Sequence, residues 1–169
     1  MKNLVLFGFM GSGKSTVGRL AASELKMQFI DIDAEIEKRT NLSISEIFEK
    51  QGEEAFRGME SQIIEELSRK EGLVIATGGG VILRKSNVEN LKHNGIIIFL
   101  RVDEETILKR TSGNKNRPLL KGDARENIQR LMTARAPLYA GLPYQVETSG
   151  RSLQQVLLDT LNIYKSAPD

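Results

Sequence analysis

Cysteine is absent from this 169-residue chain, which excludes disulfides, thiolate metal sites and a cysteine nucleophile. Histidine occurs once, as His93, at what reads as the solvated end of a helix, so an imidazole catalyst is not expected. No segment approaches the ~18 consecutive apolar residues of a membrane span. Net charge is only +2, so nothing in the overall balance calls for nucleic acid or a membrane surface as partner. The opening Met1-Lys2-Asn3 runs straight into a strand-like segment, without the apolar stretch and small-residue cleavage site of a leader. Repeats and low-complexity linkers are missing too. The expectation is one domain over residues 1–169, cytoplasmic, made in its mature form and monomeric.

What is present has ordinary globular composition, with 40% hydrophobic and 27% charged residues, enough for one real core. Acidic residues crowd Asp31 to Glu71 and basic ones Arg101 to Arg135, most of them readable as solvated helix faces. Short apolar runs alternate with helical patterns. Leu4 to Phe7 is apolar on both faces, as a buried parallel strand must be. Lys14 to Lys26 reads as a helix covering the sheet with Val17, Leu20, Ala21 and Leu25. A second strand is expected at Phe29 to Ile32, then a helical region broken near Asn41-Leu42 and Gln51-Gly52 and running through Leu67. Leu73 to Ala76 is a third strand. Ser86 and Glu89 predict a capping box for a short helix ending near His93. Ile96 to Leu100 is a fourth strand and Asp103 caps the helix after it. Gln145 to Thr148 supplies a fifth strand and Leu153 to Tyr164 a closing helix. This alternation predicts an α/β fold, a parallel sheet with helices on both faces. Asp33 to Glu71 and Ser112 to Asp123 exceed a plain crossover. They belong beyond the carboxyl ends of the strands, where ligands bind, as substrate-holding and lid elements.

Gly8-Phe9-Met10-Gly11-Ser12-Gly13-Lys14-Ser15 fits G-x-x-x-x-G-K-[ST], with a strand before it and a helix after it. Glycines allow backbone N–H groups to turn onto phosphate oxygens, and the helix N-terminus adds partial positive charge. Gly11, Ser12, Gly13, Lys14, Ser15 and Thr16 are therefore nucleotide-binding candidates. Lys14 can reach the β- and γ-phosphates and the Ser15 hydroxyl can ligate Mg²⁺. The motif does not separate a kinase from a GTPase switch or an ATP-driven machine. Asp31 and Asp33 end the second strand. Either they serve a hydrated metal ion and a substrate hydroxyl, or one caps the next helix and the other is solvated. The third strand ends without the usual metal-holding aspartate, which makes Asp31 the better candidate for the metal. Gly78-Gly79-Gly80 permits close approach of backbone to a ligand, or is simply a flexible turn.

The run Gly8 to Arg19 resembles the opening of the shikimate kinases. Asp31-Ile32-Asp33, Gly52-Glu53-Glu54-Ala55-Phe56-Arg57, Ala76-Thr77-Gly78-Gly79-Gly80, Arg117-Pro118-Leu119-Leu120 and Arg135-Ala136-Pro137-Leu138-Tyr139 follow in that family's order. The resemblance implies a P-loop three-layer α/β/α sandwich with a five-stranded parallel sheet, a shikimate-binding segment at 33–60 and a lid at 112–123. It implies phosphoryl transfer from ATP, with Mg²⁺, to the 3-hydroxyl of shikimate in aromatic amino-acid biosynthesis. By the same resemblance Asp33, Arg57, Gly79 and Arg135 hold shikimate, with Gly78 and Gly80 beside them. Arg117 meets the ATP phosphates from the lid, and Arg110 and Arg151 neighbour the adenine. Lys14, Asp33 and Arg117 are then the catalytic set. The chemistry agrees: a substrate with one carboxylate and three hydroxyls suits guanidinium forks and hydrogen-bond acceptors. Glu60, three residues beyond Arg57 on the same helix face, can pair with Arg57 and orient it. A gluconate kinase on the same core is the nearest competing reading, but it lacks a reason for Arg57 and Arg135 to converge on a carboxylate beside the glycine triplet. A nucleotide-dependent switch is the other, and slow hydrolysis with no acceptor would support it.

Overall fold

The computed structural model describes residues 1–112 and 122–168. Its five strands form one parallel sheet in the order β2-β3-β1-β4-β5, with β1 (Asn3–Gly8) at the centre. The others are β2 (Gln28–Asp31), β3 (Leu73–Ala76), β4 (Gly95–Arg101) and β5 (Tyr144–Glu147). Every residue of β1 is buried, and its side chains alternate between two cores. Val5 and Phe7 join Ile75 and Ile97 on one face, while Leu4 and Leu6 join Val74, Ile96 and Ile98 on the other. The edge strands β2 and β5 are only four residues long, which limits the unpaired backbone they offer to other chains.

Helix α1 (Lys14–Leu25) and α8 (Leu153–Ser166) cover the Leu4–Leu6 face. The opposite face takes α2 (Ile32–Thr40), α3 (Ile44–Gln51), α4 (Glu53–Ser68), α5 (Lys85–His93) and the end of α7 (Ala124–Ala140). Helix α6 (Glu104–Thr111) packs with α7 over a smaller core of Phe9, Met10, Val102, Ile107 and Ile128. The breaks expected at Asn41-Leu42 and Gln51-Gly52 separate α2, α3 and α4. Asp103 caps α6 by accepting from the Thr106 N–H at 2.7 Å.

Three local expectations are corrected. Ile32 is not the last strand residue but the first of α2, because the Asp31 carboxylate caps that helix by accepting from the Ala34 N–H. The Ser86–Glu89 capping box does not form. A 3₁₀ turn at Val81–Leu83 feeds directly into α5, whose N-cap is Arg84, so Ser86 is already helical. Leu20 is exposed, and α1 buries Val17, Gly18, Ala21 and Ala22 instead. Among the described residues, no helix is long and apolar enough to cross a membrane.

Candidate active site

The site lies at the carboxyl ends of β1, β2 and β3. After β1 the chain turns through Gly11 and Gly13, both at positive φ (74° and 90°), a region that costs a side-chain-bearing residue roughly 1–2 kcal/mol. The N-terminus of α1 has no side-chain cap and no acidic residue in its first turn, leaving its backbone donors for an anion. Lys14 Nζ donates to the carbonyls of Gly8 (2.8 Å) and Phe9 (2.9 Å), so the ammonium braces the loop it serves. A cavity of about 280 Å³ opens here, bordered by Lys14, Ser15, Thr16, Asp31, Asp33 and Arg110 among others.

Ser15 Oγ donates to Asp31 Oδ2 at 2.5 Å, while Asp31 Oδ1 accepts from Ala34 N–H. Asp31 is thus a helix cap and a neighbour of the P-loop hydroxyl at once. A hydroxyl and a carboxylate are hard oxygen donors, the type Mg²⁺ takes, and Mg²⁺ commonly uses few protein groups and completes its shell with water and phosphate. No cluster of three or more His, Cys, Asp or Glu residues that could hold a metal occurs among the described residues. The pair would suit Mg²⁺ held by few protein groups rather than a closed protein cage.

The other half of the site is built on the glycine triplet. Arg57 and Glu60, on successive turns of α4, are both buried. Arg57 Nη1 donates to Glu60 Oε2 at 2.7 Å and Nη2 to Glu53 Oε1 at 3.2 Å. The guanidinium lies against Gly80, where an added Cβ would stand 2.3 Å from Arg57 Cζ. At Gly78 it would stand 2.7 Å from Glu60 Oε1 and 2.8 Å from Asp33 Oδ1. Gly78 and Gly80 are glycine because charged side chains occupy the space a β-carbon needs, whereas at Gly79 a β-carbon would come no nearer than 3.4 Å, to Arg135 Nη1. Arg135, on α7, is buried, donates to the Gly79 carbonyl at 2.9 Å and lies over the Phe9 ring.

Electrostatics follow from this crowding. Burial raises the Glu60 carboxyl, Arg57 opposes the rise and the Asp33 charge adds to it, leaving the group pushed up to about 7. Burial disfavours the Arg57 guanidinium, but Glu60 and Glu53 outweigh it and hold its pKa above the ordinary value. Burial lowers that of Arg135. Glu60 Oε1 and Arg57 Nε have no hydrogen-bond partner among the described residues. Such unmet groups in a dry pocket are suited to a polar ligand.

The residues singled out in the sequence fall into this arrangement with one exception. Arg110 donates to the Gly11 carbonyl at 2.8 Å. With Arg151, Ser12, Gly13, Thr16 and Thr148 it lines an adjoining cavity of about 230 Å³. Arg151 is tethered there by Asp159 at 2.7 Å and the Glu147 carbonyl. Arg117 and nearly all of the expected lid lie outside the described residues. His93 is exposed in the last turn of α5. Sequence reasoning passed over Glu53, although its four-residue spacing from Arg57 was a usable signal. It gave Tyr139 no role, because only the folded chain brings that hydroxyl to Gly79.

The comparisons with known proteins agree with this geometry. The shikimate kinase family profile matches residues 10–165. A shikimate kinase from Pelotomaculum thermopropionicum is 46% identical over 166 residues, covering 98% of this chain and 96% of its own. One from Caldicellulosiruptor saccharolyticus is 50% identical over 149 residues, 88% of this chain and 87% of its own. The solved shikimate kinase of Acinetobacter baumannii in complex with shikimate superposes with a TM-score of 0.94 at 40% identity, covering 98% of this chain and 94% of that one. A gluconokinase from Sinorhizobium meliloti reaches a TM-score of only 0.62 at 19% identity, over 95% of this chain and 90% of that one, and shares the fold alone. A P-loop facing two buried arginines across a glycine triplet, on a chain so closely matched over its whole length, makes this protein a member of the shikimate kinase family.

Proposed function

We propose that this chain transfers the γ-phosphoryl group of ATP to the 3-hydroxyl of shikimate, giving ADP and shikimate 3-phosphate for aromatic amino-acid synthesis. The observation that carries the reading is the convergence of Arg57, Arg135, Asp33 and Glu60 on Gly78–Gly80, beside the P-loop cavity. Two buried guanidinium groups suit one carboxylate, and the acidic side chains suit hydroxyls. Against a gluconate kinase on the same core, the family match favours shikimate.

In this reading segment 33–60 holds the substrate and 112–123 forms the lid. The triphosphate lies along Gly11 to Thr16, and Lys14 exchanges its loop carbonyls for β- and γ-phosphate oxygens. Arg110 and Arg151 border the base, and Arg117 would add positive charge from the lid. Ser15 and Asp31 would hold Mg²⁺, which when bound neutralises phosphate charge as it develops. Asp33 accepts a hydrogen bond from the acceptor hydroxyl and takes its proton during transfer. Arg57 and Arg135 fix the substrate carboxylate, so the hydroxyl meets the phosphorus in line.

A coupled assay of ADP release, run with ATP alone, with shikimate and with gluconate, tests the reading. Release should accelerate only with shikimate. Equal release without an acceptor would point to a nucleotide switch, and acceleration by gluconate would replace the substrate.

A further inference from the structure

We propose that Tyr139 is a positioning residue for the acceptor carboxylate, acting through the Gly79 carbonyl that it shares with Arg135. The inference rests on the shikimate reading above. Arg135 and Tyr139 are four residues apart on α7 and so lie on one face. Both aim at the same acceptor: Arg135 Nη1 donates to Gly79 O at 2.9 Å and the Tyr139 hydroxyl at 2.8 Å. A carbonyl oxygen has two lone pairs, and these two donors use both. The peptide between Gly79 and Gly80 is thereby fixed in orientation, because carbonyl and N–H of one planar trans unit point opposite ways. Gly80, which that peptide carries, is the residue whose missing β-carbon leaves room for the Arg57 guanidinium.

The hydroxyl has more to do here than packing would require. Pro137 stands inside α7 between Arg135 and Tyr139 and removes a helix hydrogen bond, so backbone alone holds the last turn weakly. On one side the Tyr139 ring stacks on Phe99, with centroids 4.4 Å apart and planes within 2°. The ring is buried and borders a cavity of about 400 Å³, shared with Phe9, Met132 and Ala136. Burial raises the phenol pKa, which keeps the group a donor at any physiological pH. Without it, Arg135 would hold the Gly79 carbonyl alone, and the guanidinium would divide its geometry between that carbonyl and the substrate.

The test is Tyr139→Phe, which deletes one hydroxyl and keeps the stacked ring. KM for shikimate should rise about 3- to 10-fold, the loss of one neutral hydrogen bond. KM for ATP and kcat should stay within about twofold. The preference for shikimate over its methyl ester should shrink, since the carboxylate contact is the one loosened. Phe99→Leu is the control: it removes the stacked ring but keeps the hydroxyl, and should lower Tm without raising the shikimate KM. An active wild type with an unchanged shikimate KM in Tyr139→Phe overturns the inference. So does a variant that fails to fold or loses ATP and shikimate alike, or a Phe99→Leu protein with the same KM defect. A wild type without shikimate-dependent ADP release sinks the functional reading instead.

Discussion

Glu60 should make the stability of this protein fall as pH rises through neutrality. Its side chain is fully buried, one carboxylate oxygen is bound to Arg57 and the other has no partner among the described residues. The folded-state pKa stands at about 7 against an ordinary 4.5. Between those two values the folded protein keeps a proton that the unfolded chain has lost. Each pH unit crossed then costs the fold about 1.4 kcal/mol. Below the ordinary value both states are protonated and the cost is nil. Above pH 7 both are ionised and it levels off, at roughly 3–4 kcal/mol for the whole interval. Arg57 stays charged throughout, so the titration falls on the carboxyl. Glu60→Gln keeps the shape and abolishes the titration. Denaturant unfolding of both proteins from pH 4.5 to 8 should show the variant gaining on the wild type by roughly this amount, mostly before pH 7.5. A difference that stays flat with pH would mean that Arg57 holds Glu60 ionised at all these values. A wild type that gains on the variant as pH rises would reverse the sign and refute the burial argument.

Three further outcomes are expected. Gly80→Ala should fold, because Arg57 can shift its far end, but its β-carbon would displace the guanidinium. Calorimetry should show shikimate affinity down about 10-fold or more with ATP affinity intact; equal affinities in variant and wild type would remove Arg57 from the substrate site. Lys14→Ala should lose most phosphoryl transfer while remaining folded, and near-normal turnover in single-turnover assays would refute its role. Asp31→Asn should raise the Mg²⁺ needed for half-maximal rate, with partial rescue by excess metal. Asp33→Asn should cost about 10²–10⁴ in turnover without rescue, and the opposite pattern of rescue would exchange the two roles.

The central strand could be read from Leu4 to Phe7 because a parallel strand covered on both faces must be apolar at every position. The P-loop could be read because its glycines, Lys14 and Ser15 act through neighbours close in sequence. The two breaks between α2, α3 and α4 were visible for the same reason: they depend on local residues such as Asn41 and Gly52. Ser86 and Leu20 misled. Where a helix begins, and which residues of its stripe meet the sheet, depends on the preceding turn and the packed partner. Asp31 looked like either a cap or a metal ligand, and only the fold showed one oxygen toward Ala34 and the other toward Ser15. The sequence could pair Glu60 with Arg57 across one helical turn, yet it could not say that both are buried. That burial, which raises the Glu60 pKa, involves residues far along the chain, among them Asp33, Gly78 and Arg135. Tyr139 reaches Gly79 across 60 residues of chain. Contacts of that span are decided by tertiary packing, because no local spacing encodes which carbonyl a distant hydroxyl will meet.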